Sequence, residues 1–390
     1  MAHTTKTNRA TKHIFIVKEV IPATYTTRVR FQKPRLLTVL CSAFLLIALL
    51  HFVIVMHMGK SAPNPCQQLL ATTDYTSVVH LQSGKQQMEA GQFVSQLTGG
   101  QPSALVQISN IGTQSRLDVY VFGCTLRNHT PTLTTLFSQQ GLIQGSASIS
   151  AANTLIIGEQ DTLLPAQAVV VEQPLQQNIY REYAWHNGSL VQVAFPGLYP
   201  VASRYEAEQL QQEANNGQPF IWSDPLATAE QMAKDILHWP TAEPQDRFLS
   251  DNGITAQVQL VASHVQLTVT LQRLIQHNNQ GLWFVTAAST QGITLDESRL
   301  NAPVASPILL KGSGALPDGQ ISVTLFDHTL SPLPQVNASA ISVDASGNYT
   351  SSLSYPANLA NQQGLLLIQS LPPAGSHEME RLLLASVLLA

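Results

Sequence analysis

The sequence predicts a multi-domain protein with one transmembrane helix, an exported α+β region built on antiparallel sheets, and a C-terminal all-β sandwich. Three observations support this prediction. A long apolar segment without charges lies near the N-terminus, and short alternating runs with one helical pattern among them fill the middle of the chain. Regular strand and turn signals without a helix then occupy residues 300–390. A chain of 390 residues is long enough for several domains.

The first element is the apolar segment LLTVLCSAFLLIALLHFVIVM, from Leu36 to Met56, which contains no Lys, Arg, Asp or Glu. With a rise of about 1.5 Å per residue, a helix of this length crosses the roughly 30 Å hydrocarbon core of a bilayer. We therefore predict a transmembrane helix over residues 36–58 that contacts membrane lipid. The chain before it carries a net charge of +7 and the chain after it −11. The positive-inside rule then places the basic tail, residues 1–35, in the cytoplasm and the remainder outside.

A cleaved signal peptide is the alternative for this segment. The apolar part of a signal peptide is shorter, roughly 7–15 residues, and ends at a small-residue cleavage site. Here Pro63 follows the only small pair, Ser61-Ala62. We therefore predict an uncleaved anchor and a stiff linker over residues 59–73, where GKSAPNPC combines two prolines with a glycine.

The three cysteines predict one disulfide. Cys41 lies in the predicted membrane helix, whereas Cys66 and Cys124 lie on the exported side, where disulfides persist. We predict a bridge between Cys66 and Cys124 that ties the start of the exported region to its first strands, and two separate buried thiols are the alternative. No Cys/His spacing typical of zinc occurs, so we expect no metal and no cofactor.

Residues 74–220 are predicted to form a β-rich α+β domain. Short β-branched runs lie between turn signals at ALVQISN (104–110), RLDVYVFGCT (116–125), TLIIGEQ (154–160) and AVVVEQ (168–173). The segment PTLTTLFSQQGLI (131–143) is interpreted as a short helix between them. Asn187-Gly188 separates two alternating runs within residues 178–195, which is a strong signal for a β-hairpin.

Two groups of side chains in this domain are candidates for a site. The aromatic residues form either a sugar-stacking platform or ordinary core and cross-strand packing; they are Tyr180, Tyr183, Trp185 and Phe195. Glu159 and Asp161 would share one face of a strand. They form either a cation site or a solvated strand end.

Residues 221–292 predict a helix that covers a three-stranded antiparallel sheet. The segment SDPLATAEQMAKDILHW (223–239) has capping residues, Pro225 at the first helical position and one apolar stripe. Alternating apolar and polar residues predict the strands: ITAQVQLV (254–261), VQLTVTLQRLI (265–275) and GLWFVTAAS (281–289). The arrangement resembles part of a cystatin-like or nuclear-transport-factor-like fold. Whether residues 74–292 are one domain or two stays open.

Residues 300–390 predict a β-sandwich of the size of an immunoglobulin-like domain, without the Cys…Trp…Cys pattern of antibody domains. SPILLKGSG, residues 306–314, is interpreted as its first strand. The segments that follow are GQISVTLFD (319–327), DASGNYTSSLSYP (344–356), GLLLIQSLPPAGS (364–376) and RLLLASVLLA (381–390).

The order of these segments resembles the immunoglobulin-like domain of bacterial spore-germination proteins. That family shows a similar SP-apolar opening with a glycine, and a Gly-Leu-Leu strand before a Pro/Ser-Gly turn. This chain has ALPDG where the family has an aromatic residue after the opening glycine. The resemblance implies a bacterial envelope protein in which the domain is an interaction or spacer module, and it assigns no catalytic residues.

No motif of a known catalytic class occurs: the sequence lacks a Gly-x-Ser-x-Gly elbow, a His-Glu-x-x-His helix and nucleotide-binding loops. The acidic exported part disfavours nucleic acid. We expect a non-catalytic, membrane-anchored binding or scaffold protein of the cell envelope, whose ligand is an unknown envelope protein or glycan. One alternative is an envelope sensor that signals to a cytoplasmic partner. Another is a hydrolase with a dispersed active site, for which a deep cleft gathering Glu159, Asp161 and a histidine would be the sign.

Overall fold

The computed structural model describes residues 64–112, 115–162, 178–239, 246–262, 265–300, 302–314, 320–333, 337–338, 342–344, 346–371 and 380–390. The predicted cytoplasmic tail, the predicted transmembrane helix and the predicted strand at 168–173 lie outside these residues. Within the described part of the chain, no helix combines the length and apolar character needed to cross a bilayer. The described structure is mostly β, and all of its strand ladders are antiparallel.

The described chain begins with a helix inside the segment predicted as a linker. Helix α1 (Pro65–Thr72) starts where the Asn64 side chain accepts a hydrogen bond of 3.0 Å from the backbone N–H of Cys66. Pro65 suits the first helical position because its missing N–H would be unpaired there. Leu70 is buried in a core shared with the first sheet, so this part of the chain is folded onto the sheet. A single turn, α2 (Tyr75–Val78), follows.

The first sheet is a four-stranded antiparallel meander. Its strands, in both chain and spatial order, are β1 (Gln86–Thr98), β2 (Gln101–Asn110), β3 (Arg116–Arg127) and β4 (Thr130–Ile143). The predicted runs at 104–110 and 116–125 lie in β2 and β3, which confirms both strands.

The prediction of a helix over residues 131–143 is wrong, because this segment is strand β4. It pairs with β3 along its whole length, from Arg127↔Thr130 to Arg116↔Ile143. A bulge lies at Leu136, between the pairs formed by Thr135 and Phe137, and disturbs the two-residue period. Leucine and phenylalanine therefore recur at spacings that mimic a helix.

The second sheet is another four-stranded meander. Its strands are β5 (Ser146–Ile149), β6 (Leu155–Gln160), β7 (Asn178–His186) and β8 (Ser189–Val193). The hairpin predicted at Asn187-Gly188 is confirmed: both residues have positive φ, 48° and 90°, as a two-residue turn of this kind requires. The first and second sheets pack face to face around one apolar core that includes Leu105, Val119 and Ile157.

Two helices and a large sheet follow. The elements are α3 (Arg204–Asn215), α4 (Pro225–Ile236), β9 (Arg247–Asp251), β10 (Thr255–Ala262), β11 (Val265–Gln272) and β12 (Phe284–Thr290). The helix predicted within 223–239 and the three predicted strands are confirmed as α4 and β10–β12. Helix α4 packs on these three strands and buries the stripe that contains Ala229 and Met232.

The last strands form two sheets. They are β13 (Ile293–Leu295), β14 (Ile308–Gly314), β15 (Gln320–Phe326), β16 (Asn337–Ala338), β17 (Ser342–Val343), β18 (Asn348–Ser354), β19 (Gln363–Leu371) and β20 (Arg381–Leu388). One sheet has the order β13-β14-β18-β16, with β17 also paired to β18. The other is seven-stranded, with the order β15-β19-β20-β12-β11-β10-β9. A second apolar core lies between these two sheets and includes Leu310, Leu353 and Leu366.

Two features of this region differ from the sequence interpretation. Strand β14, which covers ILLKGSG of the segment SPILLKGSG, is not the first strand of its sheet, because β13 pairs with it through Ile293↔Gly314. The seven-stranded sheet is also continuous across residue 300, because β12 pairs with β20 through Ala288↔Leu384. The C-terminal strands therefore share backbone hydrogen bonding with the preceding α+β unit.

Candidate functional site: a buried polar joint

The predicted acidic residue Asp161 meets a histidine. Asp161 directly follows β6, and its Oδ2 lies 2.9 Å from Nε2 of His328, which is 167 residues further along the chain. Both residues are buried, with exposed fractions of 7% and 6%. The backbone N–H of His328 donates to Oε1 of Gln362 over 3.3 Å, which fixes the turn after β15. The structure thus brings an acid and a histidine together, but inside the packed protein.

Glu159 takes a different partner. It shares a face of the second sheet with Arg181 of β7, because Glu159 lies opposite Ile179 and Arg181 is two residues further. The two side chains form an ion pair, and Arg181 is 4% exposed. Arg181 Nε also donates to the backbone oxygen of Asn361 over 2.9 Å.

Neither interpretation of the acidic pair describes these contacts. Glu159 and Asp161 contact different partners, and the described residues contain no group of three or more His, Cys, Asp or Glu side chains that could hold a metal ion. A solvated strand end is wrong for Asp161, because its side chain is buried. Each acid instead contacts one partner: Glu159 forms an ion pair with Arg181, and Asp161 a hydrogen bond with His328.

A third contact lies beyond the end of β8. The side-chain amide of Gln363 donates to the backbone oxygen of Phe195 over 2.8 Å and accepts from its N–H over 2.7 Å. The side-chain amide of Gln363 thus pairs both the backbone N–H and the backbone oxygen of Phe195, as the backbone of a neighbouring strand would. We call these three contacts between the second sheet and the C-terminal strands the polar joint: Asp161 with His328, Arg181 with Asn361, and Phe195 with Gln363.

Strand β7 also carries a buried charge on its other face. Successive side chains of a strand point to opposite faces, so Glu182 lies opposite to Arg181 across the sheet. Glu182 Oε1 accepts from Arg204 Nε over 2.6 Å and from Thr154 Oγ1 over 2.8 Å. The Arg204 guanidinium in turn lies 5.5 Å from the ring centroid of Phe195. Helix α3 is thereby attached to the second sheet.

Glu206 completes this polar region from the first turn of α3. Its backbone N–H donates to Ser203 Oγ over 3.3 Å, and Ser203 Oγ donates to its Oε2 over 2.7 Å, so the Ser203 hydroxyl caps the helix and also binds the carboxyl group. Burial raises the pKa of Glu206 to about 8, against the opposing effect of the Ser203 hydrogen bond. Glu206 is therefore mostly uncharged at neutral pH.

The open space at this region is small. A cleft bordered by Tyr180, Glu182, Tyr205 and Gln363 has room for about one water molecule. Sites for small-molecule ligands usually enclose roughly 300–1,000 Å³. The arrangement can therefore hold sheets and a helix in fixed positions, and it does not form a cleft of substrate size.

The aromatic residues do not form a shared platform. Each packs against a different element: Tyr180 stacks on Tyr205 (4.2 Å between centroids), Tyr183 meets Phe137 edge-on (4.8 Å), Phe195 meets Phe284 edge-on (6.0 Å) and Trp185 lies against Gly99. The interpretation as core and cross-strand packing is confirmed, and the sugar-stacking platform is wrong.

Cys66 and Cys124 lie in a disulfide, with an S–S distance of 1.98 Å and a Cα–Cα distance of 5.4 Å. The bridge ties α1 to β3, where Cys124 is near the end of the strand. The first helix of the described chain is thus held to the first sheet by both a covalent bond and apolar packing.

Sequence reasoning missed Arg181, Arg204, His328 and Gln363. Their partners are far away along the chain, so spacing carried no information about them. One local signal was present: Arg181-Glu182 places two opposite charges in the centre of a run that otherwise has the pattern of a strand. Comparisons with family models, with curated proteins and with solved structures found no match to the chain.

Proposed function

We propose that the protein is a membrane-anchored binding or scaffold protein of the bacterial cell envelope, with its folded region outside the cytoplasm. The observation that carries this proposal is the Cys66–Cys124 disulfide. Its first cysteine, Cys66, follows shortly after the segment of residues 36–58, which contains no Lys, Arg, Asp or Glu. Disulfides form and persist in oxidising compartments. The basic residues before that segment favour a cytoplasmic N-terminus, which agrees with an exported disulfide.

The C-terminal strand order supports an immunoglobulin-like sandwich. Immunoglobulin constant-type domains have one sheet with strands A-B-E-D and another with C-F-G. Taken as A to G in chain order, β13, β14, β15, β16, β18, β19 and β20 give the same two sheets. This agreement supports the resemblance to the immunoglobulin-like domain of spore-germination proteins. The bacterial envelope and the spacer role enter our proposal through that resemblance.

The polar joint supports a scaffold more than a reaction centre. Asp161 and His328 contact each other inside the packed protein, where both side chains are buried. Buried polar contacts are satisfied only in one arrangement of the parts that carry them, which fixes orientation. Sheets that are held in a fixed orientation suit a protein that binds an envelope protein or a glycan through its surface.

The topology is tested by protease added to intact cells that express the full chain with a tag at each end. We expect loss of the C-terminal tag and protection of the tag on the 1–35 tail. Protection of the C-terminus would contradict the proposal. As a control, cells opened with detergent should lose both tags.

The disulfide is tested by thiol labelling of a Cys41→Ser variant, in which Cys66 and Cys124 are the two remaining cysteines. We expect no labelling of the unfolded chain until a reductant is added, and then labelling of both positions. Labelling without reductant would remove the main support for an oxidising compartment.

Binding is tested by co-sedimentation of the detergent-solubilised chain with purified cell-wall glycan and by cross-linking to envelope proteins in intact cells. If both assays were negative, the proposed binding role would be wrong.

A further inference from the structure

The chain carries three Asn-Gly dipeptides, which begin at Asn187, Asn216 and Asn252. All three asparagines are exposed, so access to water does not distinguish them. An asparagine that precedes glycine can lose its side-chain amide in an internal reaction, because glycine has no Cβ to keep its nitrogen away from that side chain. The reaction needs a backbone nitrogen that can release its proton and move. The structure treats the three nitrogens differently.

The nitrogen of Gly188 lies inside the two-residue turn between β7 and β8. The ladder closes on the pair His186↔Ser189, so the Gly188 N–H is not a ladder donor. Among the described residues, no atom lies within 4 Å of the position that a Cβ on Gly188 would take, so there is open space beside the turn. The segment YAWHNGSLVQV, residues 183–193, contains no Asp or Glu whose charge would oppose loss of the amide proton.

The nitrogen of Gly217 is fixed at the end of α3. Its N–H donates to the backbone oxygen of Ala214 over 3.0 Å, and the next N–H, of Gln218, donates to that of Glu213 over 3.1 Å. The C-terminal end of a helix carries partial negative charge, which disfavours a backbone anion there. Attack by this nitrogen would therefore break a capping hydrogen bond and place negative charge where the helix opposes it.

The nitrogen of Gly253 is held by a carboxylate. Its N–H donates to Asp251 Oδ1 over 2.7 Å, and the negative charge of that group opposes removal of the proton. The side chain of Asn252 is fixed as well, because its Oδ1 accepts from the N–H groups of Ile254 and Thr255 over 3.0 and 2.7 Å. Both reacting groups of this dipeptide are thus engaged in the turn.

We propose that Asn187 is a deamidation site of the folded protein, whereas the structure protects Asn216 and Asn252. The Gly188 nitrogen loses its proton to hydroxide and bonds to Cγ of Asn187, while the bond from Cγ to the side-chain nitrogen breaks and ammonia leaves with a proton from water. Water then opens the cyclic imide. Opening at Cγ leaves aspartate, and opening at the backbone carbonyl carbon leaves isoaspartate, in which the chain runs through Cβ and Cγ. The inference is independent of the proposed envelope function.

Both products change the tip of the second sheet. Each places a carboxylate where the natural side chain of Asn187 is neutral. Isoaspartate also lengthens the backbone within a turn whose length sets the pairing of β7 with β8. Strand β8 leads on to Phe195, a member of the polar joint, so the modification alters the strand that continues into the joint.

The decisive experiment is incubation of the full chain in detergent, at mildly alkaline pH and in heavy-oxygen water. Opening of the imide labels each new carboxyl group, and mass spectrometry of the peptides gives the rate at each asparagine. We expect Asn187 to convert at least about tenfold faster than Asn216 or Asn252, which corresponds to roughly 1.4 kcal/mol of activation free energy. Equal rates, or faster conversion at either other position, would overturn the proposal.

The same measurement in urea separates the effect of the fold from that of the local sequence. All three dipeptides lose their hydrogen bonds in the unfolded chain, so their rates should become similar. If Asn187 kept its full lead in urea, the fold would not set the difference and the proposed protection would be wrong.

A variant tests the protection directly. Asp251→Ala removes both the acceptor and the negative charge beside Gly253, so Asn252 should convert faster while Asn187 keeps its rate. The matched control is Asp344→Ala, at an exposed aspartate that accepts backbone hydrogen bonds in another turn, and it should leave the rate of Asn252 unchanged. An Asn252 rate that is the same in both variants would contradict the protective role of Asp251.

The assignment of the fast conversion is tested by Asn187→Gln. Glutamine would have to close a larger ring, so the label should disappear from the peptide that contains the turn. Persistence of the label in that peptide would show that another group reacts, and the proposal would be wrong.

Discussion

The C-terminal strands contact two neighbours through different chemistry. On one side, β20 pairs with β12, and four leucines of β19 and β20 share one apolar core with β10–β12 and α4: Leu365, Leu367, Leu382 and Leu384. On the other side, the polar joint connects them to the second sheet through the Asp161–His328 hydrogen bond and through hydrogen bonds to backbone groups. Leu384 belongs to the first attachment and His328 to the second.

The two attachments differ in what they specify. Apolar burial is non-directional and grows with the area removed from water, so it stabilises any close packing of the two surfaces. Buried polar groups are satisfied in one geometry only, and an unpaired group is costly. We infer that the apolar side supplies most of the stability and that the polar joint sets the orientation of the second sheet. The predictions below separate these roles, from the largest expected effect to the smallest.

The largest effect is expected from Leu384→Ala on the apolar side. Leu384 is 3% exposed and lies in the apolar core beside its ladder partner Ala288, so its truncation leaves a cavity in that core. Such substitutions lower the free energy of unfolding by about 2–5 kcal/mol. Urea unfolding followed by tryptophan fluorescence measures this loss. The matched control is Leu309→Ala, at a leucine that is 44% exposed, which should change the free energy by less than about 0.5 kcal/mol. Equal effects at the two positions would contradict the assignment of the core.

The apolar side is also the part that the sequence predicts best. The stripe of α4 and the alternation of β10–β12 are local patterns, and burial of one face produces both. Helix α3 was missed because it is largely polar, although Ser203 and Glu206 form the Ser-x-x-Glu signal that marks a helix start. Strand β4 was misread because a bulge at Leu136 changed its period.

The polar joint could not be predicted in the same way. Its contacts join residues 167, 168 and 180 positions apart, and no local pattern reports such a distance. Glu159 and Asp161 were singled out correctly as unusual, but their partners are fixed by how the sheets pack. Hydrophobic periodicity specifies which face is buried and leaves open which polar groups meet there.

A smaller effect is expected at the polar joint, from a double-mutant cycle on Asp161→Ala and His328→Ala. Each single change removes the 2.9 Å contact from a buried polar group and should lower the free energy of unfolding by about 1–3 kcal/mol. Since the two residues are in contact, the loss of unfolding free energy in the double variant should be smaller than the sum of the two single losses by about 0.5–3 kcal/mol. The control combines His328→Ala with Leu384→Ala, and there the two losses of unfolding free energy should add.

Hydrogen exchange on the same variants distinguishes orientation from stability. In His328→Ala, amides near the joint, such as that of Phe195, should lose protection. Amides in β12 and β20 should keep theirs. If both groups lost protection equally, the joint would be part of the global stability and the proposed division of roles would be wrong.

The smallest effect at pH 5 is expected from Glu206→Gln, beside the polar joint in the first turn of α3. The pKa of Glu206 is about 8 in the folded protein against an ordinary value of 4.5, because the carboxyl group is buried. Between these values the folded chain holds a proton that the unfolded chain releases. The stabilising contribution of the neutral carboxyl is thus complete below pH 4.5 and is lost as the pH rises through about 8. Glutamine stays neutral, so the variant should lose this decline and exceed the natural chain in stability at pH 9.

Urea midpoints of the two chains at pH 5, 7 and 9 measure this difference. Glu213→Gln, at an exposed position on the same helix, is the control and should keep the pH dependence of the natural chain. Parallel pH profiles for the natural chain and Glu206→Gln would show that Glu206 is ionised in the fold. In that case the buried carboxylate of Glu206 would be stabilised by a nearby positive charge, and the expectation that Glu206 is uncharged in the folded protein would be wrong. If the difference between the two urea midpoints instead shrinks towards pH 5, the uncharged carboxyl group is one of the groups that hold α3 against the second sheet.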